Sequence, residues 1–204
     1  MGISEIEFQR AGRNKQTKIN SKYINSGKYR KKFNGLSDSN KLNRLVYKLA
    51  KKMLKHRSGT EYEDMYWIDL DTLQVVAQEV NTDTVKSVVY SNRTMEIVQI
   101  YKNNREKRLL TLHTHPSSFP PSIPDFNANF QNEYNMGLVI CHDGKIFLYA
   151  AEEELNEVYY DLLVAKKIKQ GYNEFEGRCM VLEEMQDFFK MTFREVTNNE
   201  NGKC

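Results

Sequence analysis

The amino-acid sequence predicts an α/β (α+β) fold, a mixed β-sheet flanked by helices, with a basic N-terminal arm and C-terminal helices. Three observations carry this prediction. Hydrophobic residues make up 40% of the 204 positions, with 10 Phe and 12 Tyr, enough for a sizeable core. Short β-branched and aromatic runs alternate with stretches of helical apolar period, the pattern of packed sheet and helix. No stretch approaches the ~18 apolar residues that cross a bilayer, and the first fifteen residues lack the apolar centre of a signal peptide.

Charge divides the chain. Residues 1–57 carry a net +13 and residues 58–204 a net −10, so the overall +3 conceals two regions. We divide the chain into a basic arm (1–37), a central domain (38–152) and a C-terminal helical extension (153–204). The arm interleaves Lys and Arg with Tyr23, Tyr29 and Phe33 at no sustained helical period, and is expected to be extended or loosely helical. It either contacts an anionic partner such as nucleic acid, through phosphates and stacked rings, or docks on the acidic remainder of the same chain. The three cysteines, Cys141, Cys179 and Cys204, are odd in number and scattered, which argues for a reducing, cytoplasmic setting rather than a disulfide framework.

From the arm onward the elements follow in order. Asp38–Asn40 offer capping chemistry to an amphipathic helix whose stripe is Leu42, Leu45, Val46, Leu49, Ala50, Met53 and Leu54. The run 63–76, with a turn at Asp71-Thr72, predicts a hairpin, and residues 85–90 predict a further short strand. Thr94 is placed to cap a helix with Ile97, Ile100 and Tyr101 on one face. Residues 108–112 then form a buried strand, and a helix is expected over 123–134. The turn His142-Asp143-Gly144 joins strands at 136–141 and 145–150. Helices over 152–170, ended by Gly171, and over about 177–195 complete the chain.

The chemistry concentrates at 113–125. His113 and His115 stand two apart at a strand end, so their imidazoles share one face. A divalent metal needs a third protein ligand and an open position to be catalytic, and Asp125 is the obvious supplier. All four prolines, Pro116, Pro120, Pro121 and Pro124, lie in the intervening loop and stiffen it. The same residues admit plainer roles: Ser122 and Asp125 form a capping box, and paired histidines on a strand are common without any ion. His142 reads as an exposed turn residue, His56 as a cation at a helix C-terminus, and Trp67 as core.

The sequence His113-Thr114-His115-Pro116, followed by a loop and Ser122-x-x-Asp125, resembles the signature of the JAMM (MPN+/JAB) zinc metallopeptidases. The resemblance covers about residues 40–150. It implies a JAMM/cytidine-deaminase-like sheet wrapped by helices, with Zn2+ held by His113, His115 and Asp125 and with Ser122 stabilising an oxyanion. Nine residues separate His115 from Asp125, one fewer than the family's usual interval, while the Ser-x-x-Asp spacing is kept. The family also places a glutamate on an earlier strand as the base. Glu61, Glu63, Glu79 and Glu96 are the choices, and side-chain alternation does not separate Glu61 from Glu63. Glu63 lies fifty positions before His113 and opens a strand similar to that of RadC-type members, which favours it.

The implied activity is hydrolysis of a peptide or isopeptide bond in a protein substrate, ubiquitin-like or of a phage assembly. A fainter similarity, in residues 18–27 and 56–60, is to phage minor head and head-morphogenesis proteins carrying JAB-type domains. It implies the alternative of an assembly protein that binds a capsid partner or nucleic acid. RadC-type members suggest a third role, association with DNA through residues 1–36.

Overall fold

In a computed structural model, residues 16–85, 87–104, 106 and 108–197 are described; residues 1–15 of the arm, Cys204 and the rest of the tail lie outside them. The described chain is mixed α/β. Its sheet contains β1 (Met65–Asp69), β2 (Gln74–Glu79), β3 (Leu109–His115), β4 (Met136–Cys141), β5 (Ile146–Ala151) and β6 (Met191–Glu195). The spatial order is β2-β1-β3-β4-β5-β6. Only β3 and β4 run parallel, and every other neighbouring pair is antiparallel. The parallel pair needs a crossover, and α5 (Ile123–Gln131) supplies it.

Strand alternation sorts the core into two faces. Tyr66, Ile68, Leu110, Leu112, Leu138 and Ile140 face one way, onto α3 (Asn40–Arg57). On the other face, Val139, Phe147 and Tyr149 pack with α5, α6 (Glu157–Lys169) and α7 (Glu174–Met185). Met65, Trp67 and Leu109 share that second face and pack with Val98 of α4 (Asn92–Lys102). The register pairs Met65 with His113 and His113 with Val139, which puts His113 on the second face, between these two clusters.

The helix starts follow from local capping. Ser39, within the expected cap region, accepts from Leu42 N–H and opens α3, whose stripe of Leu42, Val46, Ala50, Met53 and Leu54 is buried. At α4 the cap is Ser91, with Thr94 the donor to it, and Ile100 points to solvent while Val98 fills the core. No helix among the described residues is long and apolar enough to cross a membrane.

One expectation is sharpened and two are corrected. Of the two alternatives for the arm, residues 20–36 take the helical one: they form α1 (Ser21–Ile24), α2 (Gly27–Lys32) and a 3-10 turn (Phe33–Gly35), with Asn20 and Ser26 as caps. Their apolar side chains Ile24, Tyr29 and Phe33 are buried against α3 and the sheet, so the irregular spacing reflects helices too short to show a period. Of the expected strand 85–90, residue 86 lies outside the described residues; among the others Val85 makes one bridge, to Tyr62, and 87–90 are not in a strand. Tyr90 serves packing instead, meeting Trp67 edge-on with ring centroids 4.9 Å apart. Beyond Met185 the predicted final helix gives way to β6, which pairs with β5 through Met191↔Ala151 and Phe193↔Tyr149. Here Met191 and Phe193 alternate inward, while Phe188, within the span expected to be helical, is 81% exposed.

Candidate metal centre

The strand β3 is buried along its whole length and ends on the two histidines. His113 Nε2 lies 3.1 Å from His115 Nε2. Asp125 Oδ1 is 3.3 Å from His113 Nε2, and Asp125 Oδ2 is 3.5 Å from His115 Nε2. A tetrahedral ion with ligand bonds of ~2.0–2.1 Å has edges of about 3.3 Å between ligand atoms. Donor atoms of all three residues lie within 4.8 Å of one another. The spacing therefore fits one ion, and the donor set of two imidazoles and a carboxylate suits zinc.

The surrounding bonds orient these ligands. His115 Nδ1 donates to the Phe119 carbonyl at 3.1 Å, which leaves Nε2 to face the shared centre. The stiff proline loop thus closes on the histidine that precedes it. The His113 ring is held by packing, edge-on to Tyr149, and its Nδ1 has no hydrogen-bond partner among the described residues. Asp125 is third in α5, where Ser122 is N-cap: the Ser122 backbone N–H and Oγ–H each donate to Asp125 Oδ2 at 2.7 Å. The capping box and the carboxylate of the cluster are one device, since the bonds that start the helix also aim the carboxylate. Ser122's hydroxyl proton is directed at Asp125, so an oxyanion role requires that hydroxyl to rotate.

Glu63 and Glu61 are separated by depth, not by parity. Glu63 is buried and lines the 240 Å3 cavity that also contains His113, His115 and Asp125. Glu61 is half-buried and lines only the adjoining 650 Å3 groove, which shares Glu63, His115 and Ser122 with the centre. Glu79 is occupied elsewhere, its Oε1 accepting from Ser91 and Thr94 at the start of α4, and Glu96 is exposed on that helix.

Electrostatics tie the four groups together. Burial raises the Glu63 carboxyl above its ordinary range, opposed by His115 and His113 and assisted by Asp125. Burial alone lowers His115, but hydrogen bonding and charge from Asp125, with Glu63 behind it, outweigh this and lift it to about 9. Burial likewise works to raise Asp125, and the two histidines overcome it and hold that carboxyl well below the usual range.

Three further groups escaped the sequence reading. Asp64, beside Glu63, points to the opposite face of β1, where Arg57 Nε meets its Oδ1 at 2.5 Å and His56 Nδ1 lies 2.8 Å from its Oδ2. His56 is therefore bound to a carboxylate rather than merely facing the helix dipole. Thr114, between the two ligands, accepts from Asp64 N–H through Oγ1 at 3.0 Å. His142 is not an exposed turn residue but 2% exposed, with Nδ1 donating to the Thr17 carbonyl at 2.6 Å. The N-terminal segment covers it, a contact no local signal announces.

Comparison with protein-family models, with curated proteins and with solved structures gave no match.

Proposed function

We propose that the chain is a JAMM-type zinc hydrolase of peptide or isopeptide bonds. The observation that carries this reading is the convergence of His113, His115 and Asp125 at nearest-atom distances of 3.1–3.5 Å, compatible with one coordination sphere. Bound zinc would supply Lewis acidity and a water activated near neutral pH. His113, His115 and Asp125 would hold it. Glu63, buried on the same cavity wall, takes the proton of the attacking water and returns it to the leaving amine. Its upward shift makes the carboxylate a stronger base and keeps the protonated form available as a proton donor nearer neutral pH. Ser122 holds Asp125 and, after rotation of its hydroxyl, donates to the developing oxyanion.

The 650 Å3 groove reaching the centre supports a polypeptide substrate over a single amino acid. The two buried free thiols, Cys141 and Cys179, suit a reducing cytoplasm. Metal analysis of the purified chain beside His113→Ala and Asp125→Ala tests the reading: stoichiometric zinc is expected in the wild type and its loss in both variants. Glu63→Gln is expected to keep the metal and lose hydrolysis of a ubiquitin-like fusion. A wild type without zinc overturns the enzyme reading, and unchanged turnover in Glu63→Gln moves the base to Glu61.

A further inference from the structure

Resting on the metal reading above, we propose that Thr82, Arg57 and Asp64 are positioning residues that fix the Glu63 carboxyl against the His113–His115–Asp125 centre. Glu63 stands two residues before β1, between that strand and the isolated bridge of Tyr62 to Val85. Its backbone is pinned from elsewhere. Thr82 Oγ1 donates to the Glu63 carbonyl at 2.7 Å. Arg57 Nη2 reaches Thr82 Oγ1 at 3.3 Å and donates to the Val80 carbonyl at 2.9 Å, which holds the 80–82 segment in place. The same guanidinium grips Asp64, the next residue after Glu63, and Asp64 is 1% exposed along its side chain.

The far end of the brace is the ligand strand itself. Asp64 N–H donates to Thr114 Oγ1, and Thr114 N–H donates to the Asp64 carbonyl at 3.1 Å. Thr114 is flanked by the two histidines, so the residue after the base and the residue between the ligands are locked to each other. A buried ion pair is a poor way to gain stability, since apolar residues of like volume serve as well or better. Orientation is what a charged fork adds here. It fixes where two chain segments meet to within a fraction of an ångström, the tolerance that proton transfer demands.

The test uses the full chain loaded with Co2+ and labelled with 13C-carboxyl glutamate. The Glu63 signal is assigned by its disappearance in Glu63→Gln, and its pseudocontact shift reports the carboxyl's position relative to the ion. Thr82→Val, close to threonine in shape and leaving the Arg57–Asp64 pair itself in place, is expected to take up Co2+ at the wild-type stoichiometry while displacing the Glu63 signal. Thr82→Ser, which keeps the hydroxyl, is expected to restore that signal. An unmoved signal in loaded Thr82→Val, or a Thr82→Ser spectrum matching Thr82→Val, overturns the proposal and leaves the metal reading standing. A wild type that takes up no Co2+ overturns both.

Discussion

His115 shows how one side chain carries opposing demands. Its burial works against charge, yet the Asp125 carboxylate holds its proton up to about 9 when no ion is bound. An unfolded histidine titrates near ~6.5, so the folded pair's contribution to stability is complete below that value and is lost as pH rises through about 9. Asp125 works in the opposite sense: its stabilisation is present above the ordinary carboxylate range and is lost as pH falls. Metal-free protein should therefore lose melting temperature between pH 7 and pH 10, and the metal-loaded protein should be much less affected. Because an ion must replace the His115 proton, its binding at pH 7.5 should release about one proton, read by calorimetry in buffers of differing ionisation enthalpy. A flat melting profile with no proton release would contradict this account. The cluster of His113, His115 and Asp125 was legible because strand alternation and the short proline loop act locally. Arg57 and Thr114 were not, because they meet Asp64 only after α3, β1 and β3 have packed.

Among the elements, α5 is where helix chemistry and site chemistry coincide. Ser122→Ala removes a cap bond, at a cost of about 1 kcal/mol, and also one of the bonds that aim Asp125. Loss of a partner that orients a ligand typically weakens metal affinity ~10–100-fold. Competition with a chromophoric chelator should show this drop in Ser122→Ala, whereas Ser122→Thr should retain most of the affinity. On β4, Gly137 presses against the Tyr149 ring: an added Cβ would lie 2.1 Å from Tyr149 Cζ. Tyr149 is itself buried and packed on Phe126 and His113, so the ring has little room to retreat. Gly137→Ala should destabilise by about 1–3 kcal/mol in urea unfolding, with an unchanged m-value. α3 was readable from its period because one face of it is buried, and β3 from a continuous apolar run because it is buried along its whole length. β6 was not. Val181, Leu182 and Met185 set a helical rhythm that Met191 and Phe193 do not visibly break, and the open edge of β5 decides their conformation.

At the scale of the whole molecule, the charge asymmetry takes on a structural meaning. Residues 19–36 belong to the core on the α3 face of the sheet, so the basic segment docks on its own chain through apolar side chains. Lys32 joins this docking, donating to the Gly144 carbonyl at 3.1 Å with Glu195 at 3.9 Å. Tyr29 sits at its centre, 0% exposed, with ring contacts to Tyr23, Phe33 and Tyr47. Its hydroxyl is buried without a hydrogen-bond partner among the described residues, and burial holds its pKa well above the usual value. These facts predict opposite outcomes for two substitutions at one position. Tyr29→Ala empties a ring-sized space in a close-packed cluster and should cost ~3–5 kcal/mol. Tyr29→Phe keeps the ring and removes only an unsatisfied polar group, whose burial is itself unfavourable, so that variant should be as stable as the wild type or more so. Chemical denaturation of both separates the alternatives, because a loosely attached arm would make Tyr29→Ala silent. The same packing explains why removing residues 1–36 is a poor probe of nucleic-acid binding. That deletion takes Ile24, Tyr29 and Phe33 out of the core, and charge reversal at exposed positions such as Lys28 and Lys31 leaves the core intact while removing the basic surface.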